Sequence, residues 1–199
     1  MKSNLYILLP LLFLVSIVSF SCKDEEKFAK EQELKIAQHN DSVYDYLTKN
    51  WNLRVPAASA ELDVILKDWK PWQEFAQEVK LKPVSTIGAF QKSANRITEL
   101  LQSLTYQQYP KELDLPDIKA RMALLQTSLN NLNMFLEVTP ISIEKLDQNL
   151  KHTNTALRLL LAQMDENIVK AKLPQEEGEA EMLEAINEER RANPTPENE

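Results

Sequence analysis

The chain has 199 residues, 23 basic against 30 acidic side chains, and a formal charge of −7. That balance repels phosphate backbones, and no basic stripe offsets it, so the sequence argues against nucleic-acid binding. Only two glycines occur, Gly88 and Gly178. Phosphate-cradling loops need several at fixed spacing, and nucleophile elbows and tight hairpin turns lean on them too, so P-loop, dinucleotide-binding and hydrolase-elbow architectures are excluded.

The first element is a leader. Met1-Lys2-Ser3-Asn4 supplies one positive charge, and an apolar run from Leu5 to Val18 follows, interrupted by Pro10. This run is shorter than the ~18 apolar residues a membrane-spanning helix needs, and the residues after it are acidic rather than basic. Export with removal of the leader is the expectation. Taking away residues 1–21 removes Lys2 alone among the charged side chains and leaves a balance of −8.

Cys22 is the only cysteine. An exported chain with one thiol has no disulfide partner for it, so another use is expected. The stretch Ser19-Phe20-Ser21-Cys22 resembles a Bacteroidota-type lipoprotein signal, in which a small residue precedes the cysteine that receives the lipid. It departs from the general bacterial pattern at Ser19, where Leu is usual, and at the bulky Phe20. Lys23-Asp24-Glu25-Glu26 is similar to the tag that directs such lipoproteins to the cell surface. The resemblance covers residues 1–26 and implies that Cys22 carries a lipid, that the membrane is a partner through it, and that the protein sits in the outer membrane, exposed at the cell surface. Acyl chains contribute about 0.8 kcal/mol per buried methylene, so a multiply acylated cysteine is a stable anchor.

Residues 27–173 read as a helical domain. From residue 25 to 51, Phe28, Leu34, Ile36, Val43, Leu47 and Trp51 suggest a first helix with a polar break at His39-Asn40-Asp41-Ser42. Leu62, Ile65, Leu66, Trp69, Trp72, Phe75 and Val79 keep helical spacing straight through Pro71, which predicts one helix kinked there. Three clearer stripes follow, each alternating steps of three and four. The first runs Ile87, Phe90, Ala94, Ile97, Leu101, Leu104, with Pro83 and Ser85 ahead of it. The second runs Ile118, Met122, Leu125, Leu129, Leu132, Leu136 and opens at Pro116. The third runs Ile143, Leu146, Leu150, Thr153, Leu157, Leu160, Met164 after Thr139-Pro140. Long helices joined by proline-marked loops hide such stripes by lying antiparallel. The expected fold is all-α, an antiparallel bundle of four to five helices with coiled-coil-like packing. Residues 174–199 carry nine acids and two arginines with little apolar content, the composition of a solvated tail, in which residues 179–191 have a loosely helical pattern.

Chemistry-bearing constellations are scarce. The histidines are His39 and His152. Neither has a carboxylate three positions before it, the pairing that two-metal bundles use, and one histidine cannot assemble a metal or haem site. The only thiol is the expected anchor, and no serine shows a recognisable base partner. The sequence therefore implies no enzyme, no cofactor and no metal. Two sets of residues stand out. Trp51, Trp69 and Trp72 either fill the core or offer a stacking surface for a sugar or peptide. Tyr106, Tyr109 and Leu113 load one long loop with apolar surface, and alternating helix directions would put that loop at the membrane-distal end beside Val55. There they would either cap the core or contact another envelope protein. Thr127, Asn130, Asn131 and Asn133 make one helix rich in amides and hydroxyls, as a docking face or plain surface would be. The expected function is that of a lipid-anchored, non-enzymatic interaction or accessory subunit of the envelope. The alternative is a small-ligand binder for sugar or peptide that serves an outer-membrane transporter.

Overall fold

Apolar residues spaced three and four apart line one side of a helix, and no helix keeps such a side in water when a neighbour offers another. The computed structural model describes residues 5–172 with positions 182 and 185, and side chains from Glu26 onward. Within it are six helices: α1 Leu5–Asn50, α2 Ala60–Asp68, α3 Lys70–Lys80, α4 Ile87–Thr105, α5 Pro116–Glu137 and α6 Ile143–Lys170. A single 3₁₀ turn, Lys111–Leu113, lies between α4 and α5. No strand occurs among the described residues, and the fold is an all-α bundle.

The three stripes become its centre. Phe90, Ile97, Leu101 and Leu104 of α4, Ile118, Met122, Leu125 and Leu132 of α5, and Leu146 and Leu160 of α6 are all fully buried. The polar bonds between these helices fix their directions. Gln91 donates to Leu136 O, Asn133 bonds Asn95, and Gln126 donates to Thr98 O, so residue numbers fall on α5 as they rise on α4. Thr153 Oγ1, which donates to Asn149 O at 2.8 Å, lies 3.5 Å from Ser128 O, and Asn167 Nδ2 donates to Asp117, which sets α6 antiparallel to α5. These contacts also use up the amide-rich side of α5 in part: Asn133 and Gln126 hold α4 rather than facing outward.

Starts and stops follow local chemistry. Ser59, Thr86 and Ser142 each turn a side-chain oxygen onto a backbone N–H of the following first turn, at Leu62, Ala89 and Lys145. Each satisfies one of the donors a helix start leaves free. Ser85, just ahead of α4, takes φ 97°.

Two expectations about the N-terminal half are corrected. The helix expected to kink at Pro71 is instead two helices, meeting at Trp69 with φ −89° and ψ 86°. A proline at 71 can neither donate to the carbonyl of Lys67 nor tolerate its approach, so the backbone leaves the helix at Trp69 and restarts. Pro71 then sits in the first turn of α3, where its missing N–H has no cost. The polar break expected at residues 39–42 does not exist, because α1 runs through it. Asn40, Asp41 and Ser42 point to solvent, and Ser42 Oγ returns its proton to Gln38 O at 2.9 Å.

Candidate functional site

Among the residues of α1 with described side chains, those from His39 onward join the bundle. Each residue from 26 to 38 is exposed, including Phe28 (63%), Leu34 and Ile36. The first contact is His39, whose Nε2 lies 2.8 Å from Ile141 O in the α5–α6 connection. Val43 and Leu47 follow, both fully buried, and then Trp51. At 1.5 Å per residue, the exposed stretch carries the helix about 20 Å beyond the bundle end. Cys22, Lys23, Asp24 and Glu25 precede this stretch within α1, with side chains outside the described set, while Glu26 is exposed. Residues 174–199, apart from positions 182 and 185, also lie outside it. Among the described residues no helix is long and apolar enough to cross a membrane.

Cross-links between distant residues show how the chain leaves this end. His39 meets Ile141, Tyr46 meets Asp147, Asn52 meets Asn154, and Ser59 N–H donates to Asp165 at 3.2 Å. Both members of each pair advance together, so α1 and the extended residues 51–59 run parallel to α6. Tyr46 donates to Asp147 Oδ1 at 2.9 Å. Burial first, then that bond and the carboxylate charge, push its phenol up to about 12. Asp147 is held below the usual carboxylate range chiefly by its bond with Lys151 Nζ at 2.6 Å, and next by Tyr46.

The tryptophans are core. Trp51, Trp69 and Trp72 are 4%, 5% and 3% exposed. Trp51 meets Phe90 edge-on at 5.3 Å, Trp69 stacks on Trp72 at 6.1 Å, and Trp72 leans on Phe75 at 5.5 Å. Trp51 and Trp69 are covered by these neighbours, whereas Trp72, though 3% exposed, also borders a cavity toward α2 and α3. The indole N–H groups of Trp51 and Trp69 find no hydrogen-bond acceptor among the described residues.

The four residues of the expected distal contact part company. Leu113 is fully buried. Tyr109 is half-buried against Trp69 at 5.2 Å, with Lys119 Nζ 5.6 Å from its ring, and burial, then the charge of Asp114, push its phenol up. Tyr106 alone stands free, 83% exposed, just past the end of α4. Val55 is not beside it. It lies alongside Asn154 and Arg158, whereas the tip is at the level of Asn167, which holds Asp117 at the start of α5. Asn154 and Asn167 are separated by about 20 Å of helix. Val55 falls short of the tip because residues 51–59 do not turn back at the distal end but run extended along α6.

His152 is exposed and His39 is engaged with Ile141 O. No group of three or more metal-ligating side chains occurs among the described residues. Sequence reasoning passed over a different feature. Along residues 52–58 the surface opens into two cavities, of about 630 Å³ toward α6 and about 600 Å³ toward α2 and α3, sharing Val55, Pro56 and Ala57 as the ridge between them. The one local signal was Pro56 amid small residues, which marks a stretch unfit for helix.

The fold and these surfaces define a class, an all-α bundle with one helix projecting from its end. No family model matches the chain, and no curated protein or solved structure is significantly similar to it.

Proposed function

We propose that this protein is a lipid-anchored helical bundle of the cell envelope, held to the outer membrane through Cys22 and acting without catalysis as an interaction or accessory subunit. The observation that carries this reading is the exposed stretch of α1. A helix exposed at every residue from 26 to 38, which leads back to the lone cysteine, is what a tether between membrane and domain requires. From Cys22 to His39 the tether spans about 25 Å, enough to lift the bundle clear of lipid headgroups.

The working surface is then the opposite end. The connections 81–86 and 138–142 share the anchor end, whereas the α4–α5 connection with Tyr106 faces away. A tyrosine 83% exposed at the outermost loop supplies rigid, amphipathic contact area at little entropic cost. The partner is another envelope protein.

Fractionation tests the anchor. Cys22→Ser should release the protein from membranes and abolish incorporation of labelled palmitate, while changing Lys23, Asp24, Glu25 and Glu26 to Ala should keep the lipid and lose protease accessibility on whole cells. A Cys22→Ser variant that stays with membranes and takes up label would end the proposal.

A further inference from the structure

Neighbouring extended chains lie about 4.8 Å apart, whereas a helix with its side chains is about 10–12 Å across. Where residues 51–59 run extended along α6, a thin element occupies a position in the bundle that would hold a helix. The space left over is the pair of cavities on either side of Val55-Pro56-Ala57.

The cavity toward α6 has an unusual chemistry for so acidic a chain. Two guanidinium groups line it, Arg54 from the extended run and Arg158 from α6, with the amides of Asn52 and Asn154 and the hydroxyl of Thr155 between them. No carboxylate among the described residues lines it. Among the described residues, neither arginine has an acidic side chain within 4.0 Å, although seven other basic side chains do. Val55 and Pro56 add an apolar wall.

The lining is held in place before anything binds. Asn154 accepts from the Arg54 backbone N–H at 3.3 Å and donates to Asn52 Oδ1 at 3.1 Å, which ties the extended run to α6. A volume of about 630 Å³ is that of a small-molecule site. Guanidinium groups match the planar, two-oxygen geometry of a carboxylate. Amides and a hydroxyl suit ring hydroxyls, and a proline face suits the C–H face of a sugar ring.

We propose that this cavity binds a hydroxylated carboxylate of uronic-acid type, with Arg54 and Arg158 on the carboxylate and Asn52, Asn154 and Thr155 on the hydroxyls. The site does not depend on the lipid anchor. Its ligand is either a free acidic sugar or one residue of an acidic polysaccharide.

Detergent-purified full-length protein, titrated calorimetrically with galacturonate, trigalacturonate, galactose and inorganic phosphate, tests this. Saturable binding of galacturonate with Kd on the order of 1 mM or tighter is expected, with galactose at least about tenfold weaker. Tighter binding of the trisaccharide identifies a polysaccharide source, and equal binding identifies the free sugar. Arg54→Gln and Arg158→Gln change exposed side chains, so melting temperature should hold while affinity falls about tenfold or more. Arg158→Lys should recover part of it. No saturation by ~10 mM for either acidic sugar, phosphate binding as tightly as galacturonate, or full affinity in both glutamine variants would overturn the assignment.

Discussion

Tyr46 on α1 and Asp147 on α6, 101 residues apart, share a 2.9 Å hydrogen bond that fixes how far the projecting helix sinks into the bundle. It sits about two turns beyond His39 and next to the buried pair Val43 and Leu47. Apolar burial supplies the attraction between α1 and the bundle. The directional bond sets the register, because a helix sliding by one turn would keep apolar contact but lose this partner.

The bond makes stability depend on pH at both ends of the scale. The phenol of Tyr46 is raised from 10.0 to about 12 by folding, so its contribution is complete below pH 10 and disappears as pH climbs from 10 to 12, where the unfolded chain ionises first. Asp147 is lowered by Lys151 and Tyr46, so its contribution is present at neutral pH and is lost as pH falls through the carboxylate range. Tyr46→Phe should cost about 1 kcal/mol near pH 7. The gap between the variant and the parent should close toward pH 12 and toward low pH. Urea unfolding at pH 2.5, 7, 9 and 11.5 measures it, and a gap constant across that range would show that the bond is not the source.

The tryptophan cluster can be separated into packing and polarity. Trp69 Nε1 has no acceptor among the described residues, so replacing the indole by an isolated ring removes a burdened donor together with some contact area. Trp69→Phe should therefore change stability by less than about 1.5 kcal/mol. Trp72→Ala should cost about 3–5 kcal/mol, since it vacates the space between Trp69 and Phe75. Equal losses for both, read from thermal unfolding, would mean that Trp69 Nε1 has a partner in solution.

What could be read from the sequence, and what could not, divides by range. The stripes of α4, α5 and α6 were plain because periodicity is a local property, repeated in every turn from Ile87 to Met164. The break at Trp69 was obscured because apolar spacing continues across it. The backbone broke there for Pro71, not for lack of apolar partners. Phe28 and Ile36 continue the pattern of Val43 and Leu47, so the sequence could not separate a packed helix from a stalk, yet both are exposed. The cavity between Arg54 and Arg158 had Pro56 as its one local mark. Its two sides come from residues more than one hundred positions apart, and its width results from an extended run lying where a helix would fit.

Tyr106 and Tyr109 are three residues apart and differ in what surrounds them. Tyr109 rests on Trp69 and beneath Lys119, so Tyr109→Ala should destabilise the domain by about 2 kcal/mol through lost aromatic contact. Tyr106→Ala removes an exposed ring and should stay within about 0.5 kcal/mol of the parent. Recovery of cross-linked envelope partners should fall with Tyr106→Ala alone, at an unchanged melting temperature. Full recovery with that variant would remove the distal tip as the interface.

Ile36 and Val43 give the most direct test of the tether. They lie seven residues apart on one face of α1, so any local measure treats them alike. Val43 is fully buried between α1 and the bundle, whereas Ile36 is 56% exposed beyond its end. An aspartate at 43 would be an unpaired charge in the core, and Val43→Asp should cost several kcal/mol or prevent folding. Ile36→Asp should cost no more than the ordinary surface change of about 0.5 kcal/mol, and membrane attachment should persist. If the tether lay back along the bundle, its apolar face would be covered and Ile36→Asp would be costly as well. Comparable destabilisation of the two variants in the same denaturant series would exclude a free-standing helix and, with it, the separation of the bundle from the membrane.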